Sequence, residues 1–151
     1  MGFRSKEQII TGVRVIGLLL ILEAGFMSLS LIPALYYKQG DFFALLISAL
    51  ITLCAGLLCR IKRVEKQLSI DKRLGISIVA LIWLLIGFFG SLPYLIGGYI
   101  PNIADAVFET TSGLTTTGAT ILSDVESLPK GILFWRSLTH WIGGVGIVVI
   151  V

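Results

Sequence analysis

Four apolar stretches separated by short polar segments organise the chain: 13–36, 42–59, 74–98 and 132–151. Each approaches the length of about 20 mostly apolar residues that a membrane-spanning helix needs. The first is broken by Glu23 and bent by Pro33, and the second carries no charge. The third is also uncharged, with Pro93 near its end, and the fourth is interrupted only by Arg136 near its start. The pattern predicts an all-α integral membrane fold. Two N-terminal transmembrane helices are followed by one unit of span, short helix, loop and span.

Composition supports that reading. Of 151 residues, 56% are hydrophobic and 14% charged, against about 25% charged in ordinary soluble domains. A small globule buries too little of its surface to hide so much apolar area. Composition therefore excludes a soluble enzyme, a disordered tail and a disulfide scaffold. The net charge of +3 comes from 12 Lys and Arg against 9 Asp and Glu. These charges form no aromatic-laced patch, so nucleic acid is not an expected partner; they lie between apolar runs, as the loop charges of a membrane protein do, and membrane lipid is the partner expected of the runs. Cys54 and Cys59 are five residues apart in one apolar run, too separated along a helix to form a disulfide.

Loop charges orient the spans. Arg60, Lys62, Arg63, Lys66, Lys72 and Arg73 crowd the link between the second and third spans, and Arg4, Lys6 and Arg14 crowd the N-terminus. Only Lys38, Lys130 and Arg136 fall on or near the other side. Because positive loops stay in the cytoplasm, the N-terminus is expected there. A rival reading takes Arg4, Lys6, Arg14 and the following apolar run as a signal peptide cleaved near Ser28 and Ser30. Glu23 sits awkwardly for that reading, and the remaining topology is the same under both.

The segment between the third and fourth spans does not read as a plain loop. After the turn Gly97-Gly98-Tyr99-Ile100-Pro101-Asn102, residues 103–114 have a helical apolar pattern, with Asn102 as N-cap and Asp105 in the first turn. About eleven residues make a helix of ~16 Å, too short to span. Thr115-Thr116-Thr117-Gly118-Ala119-Thr120-Ile121 follows, small, β-branched and uncharged, a composition that favours extended backbone. Both ends of this segment must lie outside, so it is expected to be re-entrant. Non-helical backbone at membrane depth persists only where it lines water or is buried in protein. The short helix would aim its C-terminal, partly negative end into the membrane, where it favours a cation. Beyond it, Gly118 can take positive φ, and Thr116-Thr117-Gly118 is chemically close to carbonyl-lined potassium filters. Seven of the eleven residues from Thr110 to Thr120 are Thr or Ser, so a hydroxyl-rich loop packing on neighbours remains the alternative.

The segment Phe108-Glu109-Thr110-Thr111-Ser112-Gly113-Leu114-Thr115-Thr116-Thr117-Gly118-Ala119-Thr120 resembles the first pore loop of TrkH-type potassium transporters. Leu128-Pro129-Lys130 and the stretch from Leu133 through Trp135, Arg136, His140 and Gly143-Gly144-Val145-Gly146 are similar to that family's next helix. The resemblance is strong over 74–151 and weaker over the first two spans, which match two extra helices preceding the first pore unit. It implies two regions: 1–73, a helix pair with a basic cytoplasmic loop, and 74–151, a span–pore helix–filter loop–span unit. It also implies potassium uptake across the bacterial inner membrane. K⁺ would be held by the backbone of Thr116, Thr117, Gly118 and Ala119, with Thr115 and Thr120 as flanks. K⁺ is the transported ion, and no organic cofactor is implied. The implied partners are three further pore units, a second copy in a homodimer, and a cytosolic nucleotide-binding TrkA-like subunit. This sequence holds a single pore unit and stops at Val151 inside an apolar run. A fragment of a longer chain is expected, with assembly of four copies as the other possibility.

Several single residues invite roles of their own. Arg136 and His140 share a helical face, and a structural role is expected for both. Glu23 is expected to pack against a polar neighbour. Glu109 could concentrate cations at a pore mouth, while Asp105 reads as a helix-start residue. Gly143, Gly144 and Gly146 allow either close helix approach or bending. Tyr36, Tyr37, Tyr94, Tyr99 and Trp135 read as interfacial anchors. One His, no metal-ligand spacing and no activated nucleophile argue against an enzyme. Two other classes stay open: a helical accessory or assembly protein whose Thr-rich loop packs in a partner, and a half-transporter with a site at a broken helix.

Overall fold

The computed structural model describes residues 2–61 and 72–150, and its side chains over 7–61 and 73–145. The basic segment holding Lys62, Arg63 and Lys66 lies outside the described residues. Six helices follow in order: α1 (Gly2–Leu29), α2 (Leu31–Tyr37), α3 (Phe42–Arg60), α4 (Lys72–Ile96), α5 (Ile103–Leu114) and α6 (Lys130–Ile150). No strand occurs among the described residues.

Among the described residues, three segments are long and apolar enough to cross a membrane: Glu7–Tyr37, Phe42–Arg60 and Arg73–Ile96. At about 1.5 Å per residue, the 21 residues of α6 also match a hydrocarbon core of about 30 Å. Large apolar side chains such as Leu58, Ile76 and Leu84 stay exposed on α3 and α4. Exposure of that kind is stable in lipid and costly in water, and the molecule is an integral membrane protein.

The expected bend in the first span is present. Pro33 has no N–H for the carbonyl four residues earlier, and its ring excludes that carbonyl. The helix accordingly breaks at Ser30, one turn before Pro33, and α2 restarts with Pro33 in its first turn. Lys38 then closes α2 in a left-handed conformation at φ 51°.

Packing of α1 on α3 depends on two small residues. A Cβ on Gly17 would stand 2.6 Å from the carbonyl oxygen of Gly56, and one on Gly56 would stand 2.8 Å from that of Gly17. The backbones therefore meet directly, as small residues in membrane helices permit. The main core forms where this N-terminal group meets α4–α6, around Met27, Leu45, Tyr94, Ile100, Ile132 and Trp135. Tyr94 and Trp135 are thus core residues and not the interfacial anchors expected of them. The Trp135 indole N–H donates to the Gly90 carbonyl at 2.9 Å. Cys54 and Cys59 are free thiols.

The start of α6 is held by residues about 90 positions earlier in the chain. Gln39 Oε1 accepts from the Lys130 N–H at 2.8 Å, and Asp41 Oδ2 accepts from Gly131 at 2.8 Å and Ile132 at 3.3 Å. The first N–H groups of a helix have no partners of their own, and an anion there also meets the positive end of the dipole. Asp41 is fully buried. The half-buried Tyr99 is nearby: burial, with the Asp41 carboxylate adding to it, pushes its phenol above the usual range. Replacing Asp41 by Ala strips two cap bonds and is expected to destabilise the protein by about 1–2 kcal/mol. Asp41→Asn keeps an acceptor and should cost less. Thermal unfolding of the detergent-solubilised variants, followed by tryptophan fluorescence, checks the order.

Candidate functional site

Helix α5 begins as its sequence predicts. Asn102 Oδ1 accepts from the Ala104 N–H at 2.9 Å, and Asp105 lies in the first turn. Its 12 residues make about 18 Å of helix at about 1.5 Å each. It is wedged between α4 and α6, with glycines at the contacts. A Cβ on Gly90 would stand 2.7 Å from Thr110 Cγ2, and one on Gly87 would stand 3.0 Å from Thr111 Oγ1. On the α6 side, a Cβ on Gly113 would collide with Thr139 Oγ1, and one on Gly143 with the Leu114 carbonyl. Of the three glycines noted on the last span, Gly143 thus serves close approach. Gly144 meets only Thr116 Cγ2 at 3.9 Å, and Gly146 lies beyond the described side chains.

The loop after α5 folds back on the helix end. The N–H groups of Thr115, Thr116 and Thr117 donate to the carbonyls of Thr111, Gly113 and Ser112 at 2.9, 2.9 and 3.0 Å, and Gly118 N–H reaches Ser112 O at 3.4 Å. Three of the four free carbonyls of the last helical turn, those of Thr111, Ser112 and Gly113, are thereby satisfied. Among the described residues, no hydrogen bond ends on the carbonyl oxygens of Thr116, Thr117 or Gly118. The segment is not uniformly extended, as its composition suggested. Thr116 has φ 56° and Gly118 has φ 75°. A left-handed β-branched residue is a genuine outlier, of a kind that clusters at functional sites. Thr115 Oγ1 donates to Thr111 O at 2.8 Å, so at the 2.8 Å contact between Thr115 and Thr117 the Thr117 hydroxyl is the donor.

The return limb is tied to the same helix. Ser112 Oγ donates to the Ala119 carbonyl at 2.6 Å. Of the four residues implied for the ion path, Ala119 is therefore the one whose oxygen is already engaged by protein. The Thr120 hydroxyl donates to the Glu109 carboxylate at 3.0 and 2.9 Å, and the Ile121 N–H at 3.2 Å. Arg136 Nε completes the group, 2.7 Å from Glu109 Oε1. Glu109 is 1% exposed. It is enclosed and paired, and does not face water at a pore mouth as expected. Arg136 has the structural role expected of it, and His140 Nδ1 lies 2.9 Å from the Arg136 carbonyl, within its own helix.

Glu23 departs from expectation. Both its oxygens are buried with no hydrogen-bond partner among the described residues. One of them lies against Gly90, whose Cβ, if present, would stand 2.7 Å away. Sequence reasoning missed the Glu109–Arg136 pair and the Ser112 bond. The usable signal was the occurrence of opposite charges in two neighbouring apolar segments, since a buried charge requires a partner.

Fold and site together define a membrane protein in which two long helices bracket a short capped helix and a strained, hydroxyl-rich loop. The chain belongs to the TrkH family: residues 42–151 match the family model TrkH, described as a cation transport protein. It is 39% identical over 152 residues to the Trk system potassium uptake protein TrkH of Vibrio parahaemolyticus, covering 99% of this chain and 30% of that protein. To the Trk system potassium uptake protein TrkH of Escherichia coli K12 it is 40% identical over 139 residues, covering 91% and 29%. It is also 35% identical over 146 residues to an uncharacterized cation transporter of Methanocaldococcus jannaschii, covering 97% and 30%. The crystal structure of the potassium transporter TrkH from Vibrio parahaemolyticus superposes with a TM-score of 0.81 at 39% identity, over 99% of this chain and 31% of that one. The chain thus spans about 30% of the length of these curated relatives, which are transport proteins and not enzymes.

The close contact at Gly143 makes a sharp prediction. Gly143→Val should destabilise the protein by about 1–3 kcal/mol, because the Leu114 carbonyl is backbone and cannot rotate away. Gly144→Ala should be close to neutral. Comparing the melting temperatures of the two purified variants checks the contrast.

Proposed function

We propose that this chain carries the first pore unit of a Trk-type potassium uptake system of the bacterial inner membrane. Residues 74–151 form the span–pore helix–filter loop–span unit, and residues 1–73 form a helix pair with a basic cytoplasmic loop. K⁺ is held by the backbone carbonyls of Thr116, Thr117 and Gly118, with Ala119 closing the segment and Thr115 and Thr120 flanking it. One unit supplies a quarter of a ring, so three more like it complete the path. The full-length protein works as a homodimer with a cytosolic nucleotide-binding TrkA-like subunit, and its N-terminus is cytoplasmic.

The observation that carries this reading is the division of labour in the loop backbone. The N–H groups of residues 115–118 point back at α5, while three successive carbonyls, 116–118, take no donor among the described residues. Carbonyl dipoles left in this way can replace the hydration shell of a cation. Passage of an ion between such sites needs no covalent chemistry.

Gly118 tests it. At φ 75°, a side chain costs about 1–2 kcal/mol of backbone strain. A Cβ there meets nothing within 4 Å in this chain, so the effect is on backbone direction and not on packing. In the full-length transporter, Gly118→Ser should reach the membrane normally but discriminate poorly between Rb⁺, a K⁺ surrogate, and Na⁺. Thr115→Ser, which keeps the hydroxyl bonded to Thr111, should be mild. An unchanged uptake ratio in Gly118→Ser at matched membrane protein would remove the filter role and favour an accessory protein with a packing loop.

Orientation is tested separately. In a cysteine-free full-length background, Tyr37→Cys and Ser127→Cys should react with an impermeant thiol reagent on spheroplasts. Lys66→Cys should react only after permeabilisation. Labelling of Lys66→Cys from outside would reverse the topology.

A further inference from the structure

The return limb of the loop is registered to α5 by two side chains three residues apart on that helix. Ser112 takes the Ala119 carbonyl, and Glu109 takes the Thr120 hydroxyl and the Ile121 N–H. The outgoing limb is registered to the same helix through its N–H groups. Thr116, Thr117 and Gly118 are therefore held to α5 through their own N–H groups on one side and through Ala119, Thr120 and Ile121 on the other.

Resting on the filter reading above, we infer that Glu109, held by Arg136, is a positioning residue that sets the spacing of the loop carbonyls and so the discrimination between K⁺ and Na⁺. Glu109 does not touch the ion. Its carboxylate accepts two bonds from the return limb and one from Arg136 Nε. An amide in its place has a single acceptor oxygen and spends its other end as a donor, so it cannot reproduce this set of bonds. Arg136 supplies the opposite charge beside a carboxylate that is 1% exposed. Charge-assisted bonds are stronger than neutral ones, so the Glu109 carboxylate adds a firm attachment to the one that Ser112 makes at Ala119. K⁺ and Na⁺ differ by a few tenths of an ångström in radius, so slack in the loop appears as lost discrimination before it appears as lost fold.

The test uses the full-length transporter in proteoliposomes, reading the Rb⁺ to Na⁺ uptake ratio and the melting temperature. Thr120→Val removes the hydroxyl bonded to Glu109 but leaves the ion pair intact. It should melt near wild type and lower the ratio by about fivefold, the scale of one ordinary hydrogen bond. Thr120→Ser restores the hydroxyl and should restore the ratio. Glu109→Gln should lower the ratio by about tenfold or more, having weakened every bond of the group; if it fails to assemble, the two Thr120 variants carry the test alone. A wild-type ratio in Thr120→Val, with Gly118→Ser showing a lowered one, would overturn the positioning role while leaving the filter reading standing. A wild-type ratio in Gly118→Ser as well would overturn both. Uptake of both ions reduced in parallel, with the ratio intact, would make the pair structural only and overturn the inference.

Discussion

A carboxylate sealed inside a membrane protein is costly to bury unless a cation and enough donors surround it. Glu109 is that constraint here. It sits on a helix too short to cross the membrane, sealed from solvent, and meets Arg136 from the next helix at 2.7 Å. The remaining acceptor capacity goes to Thr120 and Ile121. One buried charge thus fixes three separate parts of the chain: α5, α6 and the limb of the loop between them. Removing one partner of such a group leaves an uncompensated charge, which is the expensive failure.

The pair forms only because α5 can lie close to both neighbours. That closeness comes from missing side chains. Gly87 and Gly90 on α4 face Thr111 and Thr110, Gly113 makes room for the Thr139 side chain, and Gly143 brings α6 against the backbone of Leu114. Helices in lipid gain little from burying apolar area against one another, so dispersion at short range and internal hydrogen bonds carry association. The Trp135 to Gly90 bond is one of those, tying α6 directly to α4 behind α5.

The N-terminal helices are part of this frame and not an appendage. Gln39 and Asp41 lie between α2 and α3, and their side chains cap the start of α6. The helix that supplies Arg136 is therefore anchored at its N-terminal end by the first third of the chain. The same junction holds the main core, including Met27, Leu45 and Ile132.

Much of the architecture is local physics and was readable from residue order. Runs of uncharged apolar residues dictate spanning helices, because backbone groups in lipid must be satisfied within the helix. Asn102 capped α5 as its position predicted, Pro33 broke the first span one turn upstream, and Gly118 took positive φ. What the tertiary structure decided were partnerships between positions far apart in sequence. Nothing near Glu109 announces that Arg136, 27 residues on, will neutralise it, or that Asp41 will cap a helix 90 residues away. The left-handed Thr116 runs against its own β-branched preference and is held there by the carbonyl of Gly113. Periodicity and propensity describe a residue and its neighbours in the chain. Charge pairing, cross-helix capping and strained backbone depend on neighbours in space, and those exist only once the helices have packed.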